Sequence, residues 1–377
     1  MTGLLQADAV ALPLADDSVD LVITSPPYFA LRSYRDDGEH YDGQIGSEAT
    51  PQEFLDALWT VTRECVRVLK PSGSLWVNLG DKYAEKSLIG LPWRYAIGCI
   101  DDLGLILRAE VVWSKPNGLP ESVTDRVRRS HEQWFHFTLE PRYFSAIDEI
   151  REPHLTTGGI TPDEARNDPR YAASSHRNIE VRNGTTKGAT PKFAGNPLGK
   201  LPGSVWSIPS EPLKVPDELG VDHFAAFPQE WPRRLILGWC PAEVCTACGE
   251  GRAPVVEKRL RLRSQESGVA RGPSRMNGRR GRNDEAGYPD GIHEATITGY
   301  ACACPDTTAP STPGVVLDPF AGTGTVPMVA RALGRTGIGV DLSADYLRLA
   351  SWRVFESGHA SKTVARTNGE RQGLLPL

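Results

Sequence analysis

The sequence lacks the features that would point to a membrane or secreted protein. No apolar run reaches the length of a membrane-spanning helix. Residues 1–8 have neither the basic start nor the apolar stretch of a signal peptide, so we expect a cytoplasmic protein. The seven cysteines are an odd number, which argues against a disulfide framework. An excess of positive charge is also absent, because the formal net charge is -5, so attraction to a polyanion requires a local basic surface.

The composition is that of a folded protein with room for two or three domains, at 377 residues, 40% hydrophobic and 24% charged. The run VDLVIT, Val19–Thr24, predicts a buried strand. A capping box at Thr50 and Glu53, with Pro51 in the first turn, predicts a helix over residues 50–70. Strands are predicted at residues 74–79, 108–113 and 133–139, and a helix at residues 88–103. This order predicts a doubly wound α/β sheet.

The regular pattern is interrupted twice in the second half of the chain. Residues 151–202 show no sustained period, which is typical of a long insertion or a small irregular domain. A helix is predicted at residues 228–240, and regularity is then lost as far as residue 312. Strands are predicted again at residues 314–318 and 337–341, with a helix at residues 326–333 and another after the last strand.

The stretch ITSPPY, residues 23–28, ends the first predicted strand with two prolines and an aromatic ring. Proline has no amide hydrogen and a fixed φ, so it makes this corner rigid. One interpretation is a strand stop with Tyr28 packed nearby. The other is a binding corner, in which the Ser25 hydroxyl and the Pro26 carbonyl accept hydrogen bonds and Tyr28 stacks on a ligand.

A second motif, DPFAGTGTV at residues 318–326, follows an apolar strand and opens a helix. Its glycines allow a ligand to approach the backbone, but the spacing is neither the dinucleotide fingerprint nor a triphosphate loop, which disfavours phosphate binding. Asp341 ends the next strand, where a carboxylate can accept hydrogen bonds from both hydroxyls of a ribose. The two features together predict a site for an adenosine-bearing ligand without phosphate.

These two motifs resemble those of the S-adenosylmethionine-dependent DNA amino-methyltransferases. DPFAGTGT is similar to their cofactor motif, and ITSPPY is similar to the signature of their cytosine-N4 members. The catalytic motif precedes the cofactor motif, which is the permuted order of the beta group, and the resemblance covers about two thirds of the chain. It implies an α/β fold, a circularly permuted Rossmann-like methyltransferase core with two insertions.

The resemblance also implies which residues form the site. The catalytic residues would be Ser25, Pro26, Pro27 and Tyr28, and S-adenosyl-L-methionine would be bound by Asp318, Phe320, Gly322, Thr323, Gly324 and Asp341. His131 and Glu132 lie in a stretch similar to the strand motif beside the target base, where they would orient loops. Residues 227–236 resemble the cofactor-side helix of the family, although for Phe227 and Trp231 core packing is the favoured interpretation over cofactor contact.

The implied function is transfer of a methyl group to the N4 amine of cytosine in a specific sequence of duplex DNA, by base flipping. Adenine-N6 methylation is an alternative, since both amines need the same acceptors, and Ser25 before the prolines favours cytosine. A second alternative is an inactive DNA-binding zinc protein with this fold. Methylation at carbon 5 is disfavoured because the chain has no Pro-Cys dipeptide. Duplex DNA is the expected partner, and a cognate restriction endonuclease is a candidate partner.

Four cysteines form two pairs, and a basic stretch lies between them. Cys245 and Cys248 form a Cys-x2-Cys turn, and Cys302 and Cys304 could complete a structural zinc site, with four free thiols as the alternative. Residues 252–283 contain ten lysines or arginines against two glutamates, which is typical either of a solvated loop or of a loop that orders on a polyanion.

The predicted organisation has five segments. They are the catalytic half of the core at residues 1–150, a target-recognition insertion at 151–204, the cofactor-side helix region at 205–240, a zinc-binding basic insertion at 241–312 and the cofactor-binding half at 313–377.

Overall fold

A computed structural model describes most of the chain in two compact units. The described residues are 2–30, 35–36, 39–40, 43–118, 120–154, 196–213, 215, 219, 227–262, 291–306 and 308–356. The first unit comprises Met1–Ile150, Gly203–Ala253 and Ala301–Leu377, and the second comprises Arg151–Pro202 and Pro254–Tyr300. Within the described part of the chain, no helix is both long and apolar enough to cross a membrane.

The described elements are mostly short strands with helices between them. The strands are β1 (Gly3–Gln6), β2 (Val19–Thr24), β3 (Arg35–Asp36), β4 (Glu39–His40), β5 (Leu69–Leu79), β6 (Tyr83–Ala84), β7 (Ser87–Leu88), β8 (Ile106–Ser114), β9 (His131–Thr138), β10 (Val205–Ser207), β11 (Val244–Cys245), β12 (Ala253–Leu262), β13 (Gly291–Ala301), β14 (Ser311–Thr312), β15 (Val315–Asp318) and β16 (Thr336–Asp341). The α-helices are α1 (Pro51–Val68), α2 (Leu91–Asp101), α3 (Glu230–Trp239), α4 (Thr325–Ala332) and α5 (Ala344–Ser351).

The first unit is built on one eight-stranded sheet with the order β1-β16-β15-β2-β5-β9-β8-β10. Two of its seven strand pairs are antiparallel, because β9 runs opposite to both of its neighbours, β5 and β8. All the other neighbouring pairs are parallel. The sheet confirms the predicted α/β fold class.

The sheet brings together two strands that are almost 300 residues apart in the sequence. β2 and β15 are parallel neighbours, with Leu21 opposite Val316 and Val22 opposite Leu317. Their carboxyl ends therefore meet at one edge of the sheet. This is the place where the strand order reverses direction, and open α/β sheets bind ligands in the crevice at such a point.

Two buried clusters hold helices to the sheet. One contains Phe54, Leu58 and Tyr95 from α1 and α2, packed with sheet residues such as Val22. The other contains residues of α3 and α4 with a group of tryptophans, in which Trp231 stacks on Trp134 with 4.8 Å between the ring centroids. Both clusters are apolar, and they fix the strand ends that carry the two motifs.

Several local predictions are confirmed at the level of side chains. Thr50 Oγ1 accepts a hydrogen bond from the Glu53 N–H, and Glu53 Oε2 accepts one from the Thr50 N–H, which completes the predicted capping box of α1. The strand Val19–Thr24 has the predicted bounds, and all six of its residues are buried. These features depend on neighbouring residues, which a sequence pattern records directly.

The prediction that residues 241–312 lack regular structure is wrong. Strands β12 and β13 lie in this segment and form a two-stranded sheet, and the short strands β11 and β14 pair with each other. A two-stranded ribbon has no single buried face, so it leaves little of the alternating hydrophobic pattern by which strands are predicted. Most of the predicted target-recognition insertion, and the basic residues after residue 262, lie outside the described residues. The five domain boundaries stay a prediction.

Candidate active site

A pocket lies at the edge where β2, β15 and β16 end. It encloses about 820 Å³, counting the solvent-filled space at its mouth. Ser25 and Pro27 line it from the first motif, and Phe320, Gly322 and Thr323 line it from the second. The pocket also includes residues that the sequence patterns did not indicate: Ala7, Asp8, Ala9, Gly43, Gln44, Ile45, Pro319, Leu342 and Tyr346, together with the predicted Asp341.

A buried hydrogen bond joins the two motifs. Thr24 Oγ1 donates to Asp318 Oδ1 at 2.9 Å, across 294 positions of the sequence. The same Asp318 oxygen accepts the backbone N–H of Phe320 at 3.1 Å. Asp318 is only 1% exposed and is not among the residues that line the pocket. Its side chain therefore aligns the two motifs, while its predicted contact with a cofactor stays a prediction.

Burial raises the pKa of the Asp318 carboxyl group to about 7. The folded protein therefore holds one more proton than the unfolded chain between about pH 4 and pH 7, and stability decreases as the pH rises through this range. This rise in the pKa of Asp318, from about 4 to about 7, corresponds to about 4 kcal/mol of the free energy of unfolding. We expect Asp318→Asn, which keeps the accepting oxygen, to remove this dependence.

Chemical denaturation at several pH values measures how the free energy of unfolding depends on pH. The difference in unfolding free energy between the wild-type protein and Asp318→Asn should fall by up to about 4 kcal/mol from pH 4 to pH 7. The exposed Asp102 provides the matched control, and Asp102→Asn should follow the wild-type curve. Parallel curves for the wild-type protein and Asp318→Asn would contradict the role of burial.

The Gly-rich turn is shaped by its glycines and by Asp341. Gly322 and Gly324 have φ values of +48° and +73°, which residues with a side chain rarely adopt. A Cβ atom on Gly324 would also lie 2.9 Å from the Cβ of Ala350. Asp341 Oδ2 accepts the Gly322 N–H at 2.8 Å, and Oδ1 accepts the Ser343 N–H at 2.9 Å. Asp341 thus fixes the turn and presents its carboxylate to the pocket.

A buried arginine supports the same turn from the C-terminal side. Arg353 is 3% exposed, and its Nη1 donates to the hydroxyl oxygens of Thr323 and Thr325, both at 2.7 Å. Burial lowers the pKa of the Arg353 guanidinium group to about 10. No sequence motif indicates Arg353, because its partners lie almost thirty residues earlier in the chain.

At the corner formed by the first motif, the Ser25 hydroxyl donates to Asn78 Oδ1 at 3.2 Å. Asn78 Nδ2 donates to the backbone oxygen of Gln133 at 3.0 Å, which determines the orientation of the Asn78 amide. With its hydrogen directed at Asn78, Ser25 Oγ is left as an acceptor on the wall of the pocket. Pro26 is buried and lines a small apolar cavity beneath the corner rather than this pocket.

The Tyr28 hydroxyl is held by two residues of neighbouring strands. It lies 2.8 Å from Asn78 Oδ1 and 2.8 Å from Glu132 Oε2. A phenol has one hydrogen, so Tyr28 donates to one of these oxygens at a time. Lys115 forms an ion pair with the other oxygen of Glu132 and lies over the ring of Trp113, 4.1 Å from its centroid. Glu132 was indicated by its motif, whereas Asn78 and Lys115 were missed.

The Tyr28 ring lies directly against the backbone of Gly80. A Cβ atom at Gly80 would be 2.6 Å from Cε2 of Tyr28, which is shorter than the contacts that Cβ atoms make in proteins. We expect Gly80→Ala to displace the ring and to lower turnover by about tenfold or more, because a misplacement of 1 Å can cost two orders of magnitude. Steady-state methylation kinetics measure this effect. Gly203→Ala is the control, since a Cβ there meets nothing within 4 Å, and equal rates for the two variants would refute the argument.

The helix at Glu230–Trp239 packs into the core, in agreement with the interpretation favoured from the sequence for Phe227 and Trp231. Trp231 is completely buried and stacks on Trp134 and Trp206. Phe227 packs edge-on against Trp134, with 5.8 Å between the ring centroids. Neither Phe227 nor Trp231 lines the pocket.

Three of the four predicted metal ligands come together. The sulfur atoms of Cys245, Cys248 and Cys302 lie within 4.8 Å of one another, and Cys304 lies outside this group. Hydrogen bonds from the backbone N–H groups of Cys248 and Ala247 lower the pKa of the Cys245 thiol to about 7. This group of thiols is formed within the first unit and shares no residue with the pocket at the sheet edge.

The fold agrees with comparisons to known proteins. The family model described as DNA methylase, for N6 and N4 enzymes, matches residues 19–243 and 307–351, which include both motifs. The chain belongs to this DNA methylase family. Most of the segment that carries the paired cysteines and the basic stretch lies outside the match.

Relatives in this family are named Type II methyltransferases. M.Cfr9I from Citrobacter freundii is 37% identical over 180 residues, which cover 40% of this chain and 58% of M.Cfr9I. M.SfiI from Streptomyces fimbriatus is 29% identical over 381 residues, covering 89% of this chain and 86% of M.SfiI. The solved structure of the PvuII DNA methyltransferase, described as cytosine-N4-specific, aligns with a TM-score of 0.55 at 16% identity over 99% of this chain and 93% of that one. This likeness confirms the methyltransferase fold.

Proposed function

We propose that this DNA methylase transfers a methyl group from S-adenosyl-L-methionine to the N4 amine of cytosine in a specific sequence of duplex DNA. The observation that carries this proposal is the Thr24–Asp318 hydrogen bond, with Ser25 and the Gly-rich turn on the wall of one pocket. This arrangement supports the proposal, because it would set an acceptor for the target amine beside a site for the methyl donor. Proximity of this kind lowers the barrier to a bimolecular reaction.

The pocket fits the proposed cofactor in the chemistry of its polar groups. Asp341 offers carboxylate oxygens that can accept the ribose hydroxyls, and the φ of Gly322 lets the backbone come close to the ligand. Asp8 adds a second carboxylate, and Tyr346 adds an aromatic ring to the wall. When bound, S-adenosylmethionine supplies an electrophilic methyl group.

The chain itself has to make a poor nucleophile reactive. The lone pair of the cytosine amine is shared with the ring, and acceptors for its two hydrogens favour a tetrahedral nitrogen with a directed lone pair. Ser25 Oγ is one such acceptor, since Asn78 takes its hydrogen. We propose the Pro26 carbonyl as the second, held by the rigidity of the two prolines.

The target amine lies within a base pair, so the nucleotide must leave the helical stack before the reaction. We propose that Tyr28 stacks on the extruded base, which exploits the sequence-independent π-face of nucleobases. Its hydroxyl contacts with Asn78 and Glu132 hold the ring in a defined plane. The Lys115–Glu132 ion pair supports that arrangement from the adjacent strand.

The choice of cytosine rests on Ser25, which precedes the two prolines. Recognition of a specific DNA sequence, and a restriction endonuclease as partner, are proposed because the relatives are named Type II methyltransferases. Methyl transfer from a sulfonium needs no activated water, so we assign no catalytic role to a metal. We propose zinc as a structural ion only, at the cysteine cluster.

Incubation with labelled S-adenosylmethionine and mixed-sequence duplex DNA, followed by nucleoside mass spectrometry, tests the function. The expected product is N4-methylcytosine, and Ser25→Ala provides the catalytically impaired control. N6-methyladenine would refute the choice of base while retaining the site and its mechanism. DNA binding without any modified nucleoside would refute the proposed activity and favour an inactive binder.

A further inference from the structure

A second constructed site lies within the cysteine segment of the first unit. The sulfur atoms of Cys245, Cys248 and Cys302 are within 4.8 Å of one another, although Cys302 is more than fifty residues from Cys248 in the sequence. Two sulfur atoms on one tetrahedral zinc ion are about 3.8 Å apart, because each zinc–sulfur bond is about 2.3 Å long, so sulfurs within 4.8 Å of one another reach a shared ion by a small side-chain adjustment. The chain holds three soft ligands at a common centre.

The backbone around Cys245 and Cys248 forms a tight turn of the kind that presents both thiols to one side. Gly249 adopts φ +74°, and its N–H donates to the carbonyl of Cys245 at 2.9 Å. The Cys245 N–H donates in turn to the carbonyl of Glu250, and Val244 bridges to Gly251. A Cys-x2-Cys turn followed by glycine in the left-handed region allows both sulfurs to bind one ion without strain.

The returning chain is fastened to this turn by contacts that do not involve the thiols. β11 pairs antiparallel with β14, with Cys245 opposite Ser311. The Thr246 N–H donates to the Pro310 carbonyl at 3.0 Å, and Arg252 Nη2 donates to the Ala309 carbonyl at 2.6 Å. These bonds hold residues 309–312, which follow Cys302 in the chain, beside the Cys245 turn.

From this geometry we propose a structural zinc site formed by Cys245, Cys248, Cys302 and Cys304. Four thiolates in tetrahedral arrangement are a common structural zinc ligand set. The Cys304 sulfur lies outside the group of three, and we assign it as the fourth ligand because it follows Cys302 by only two residues. The Arg252 guanidinium, paired with Glu243 at 2.7 Å, lies on the same turn and offsets part of the negative charge of four thiolates.

The proposed ion links the two ends of the long segment that separates the cysteine pairs. Residues 254–300 belong to the second unit. The chain leaves the first unit shortly after the Cys245 turn and returns to it just before Cys302. A metal that clips the ends of a long segment restricts the unfolded chain and stabilises the folded one. The site is therefore expected to support folding and to leave the chemistry of methyl transfer unchanged.

Metal analysis of the full-length protein, purified without added metal or chelator, is the first test. We expect about one zinc ion per chain in the wild-type protein and its loss in Cys245→Ser and Cys248→Ser. Cys99→Ala is the matched control, because Cys99 is buried in a helix outside the cluster and should leave the zinc content unchanged. Absence of zinc from the wild-type protein, or its full retention in Cys248→Ser, would overturn the site.

A thiol titration of the wild-type protein tests the site without relying on a variant that could fail to fold. Cys248 is exposed and Cys302 and Cys304 are partly exposed, so free thiols at these positions should react with a thiol reagent at once. Bound thiolates should react only after a chelator is added. Immediate reaction of three thiols, or a disulfide found between two of them by mass spectrometry, would refute the proposal.

Cobalt substitution identifies the fourth ligand. The Co²⁺ protein should show the visible absorption of tetrahedral thiolate coordination, and Cys304→Ser should alter that absorption while metal stays bound. An unchanged spectrum would show that Cys304 is not a ligand.

Discussion

Ser25→Ala is expected to lower the methylation rate by about 10² to 10³-fold while leaving the affinity for S-adenosylmethionine within about threefold of the wild-type value. The variant removes an acceptor aimed at the reacting amine, and loss of one such positioned group costs about 3 to 4 kcal/mol of transition-state stabilisation. It leaves Asp341 and the Gly-rich turn unaltered. Single-turnover methylation measures the rate, and isothermal titration calorimetry measures the affinity.

The control for this prediction is Ser87→Ala, since Ser87 is an exposed serine outside the pocket. Its rate and affinity should equal those of the wild-type protein. Equal loss of rate and affinity in Ser25→Ala would show that Ser25 supports the cofactor site rather than the target amine. A rate within a factor of three of the wild-type value would remove Ser25 from the mechanism.

Asp341→Ala is expected to weaken S-adenosylmethionine binding by at least about 100-fold. Two effects add: the ribose hydroxyls lose a charged acceptor, and the Gly322 and Ser343 N–H groups lose the carboxylate that holds them. Hydrogen bonds to a charged group contribute about 1.5 to 3 kcal/mol each, and every 1.4 kcal/mol is a factor of ten in affinity. Calorimetric titration of the purified variant measures the loss.

Asp341→Asn separates the two effects, because an amide oxygen accepts at one position but carries no charge. Its affinity should fall between that of the wild-type protein and that of Asp341→Ala. Asp102→Ala, at the exposed C-terminal cap of helix α2 and outside the pocket, should bind normally. Undiminished binding by Asp341→Ala would refute the assignment of the pocket to the cofactor, whatever the DNA substrate is.

Many elements of the fold could be predicted because their causes are local. The capping box of α1 requires only Thr50 and Glu53, and the strand Val19–Thr24 is mostly apolar because both of its faces are covered. The two motifs were also recognisable, since glycine and proline impose backbone conformations that few other residues permit.

Features that depend on contacts between distant segments could not be predicted in this way. The contact of Asp318 with the cofactor stays a prediction, but its buried hydrogen bond to Thr24, 294 positions earlier, is a role that no motif indicates. Asn78 lies on β5, and Gly80 and Lys115 directly follow β5 and β8, whose sequences read only as apolar or mixed runs. Their role follows from the order of strands in the sheet, which brings β5, β8 and β9 to the side of β2.

The sequence by itself determined the class of the sheet, the two motifs and their permuted order, because each is written in short runs of residues with strong backbone preferences. Only the tertiary structure decided which side chains share the pocket, how Ser25 is oriented by Asn78, and that Cys302 meets Cys245 and Cys248. The physical reason is that hydrogen-bond direction and sulfur spacing depend on the pairing of strands far apart in the chain, and hydrophobic periodicity carries no record of that pairing.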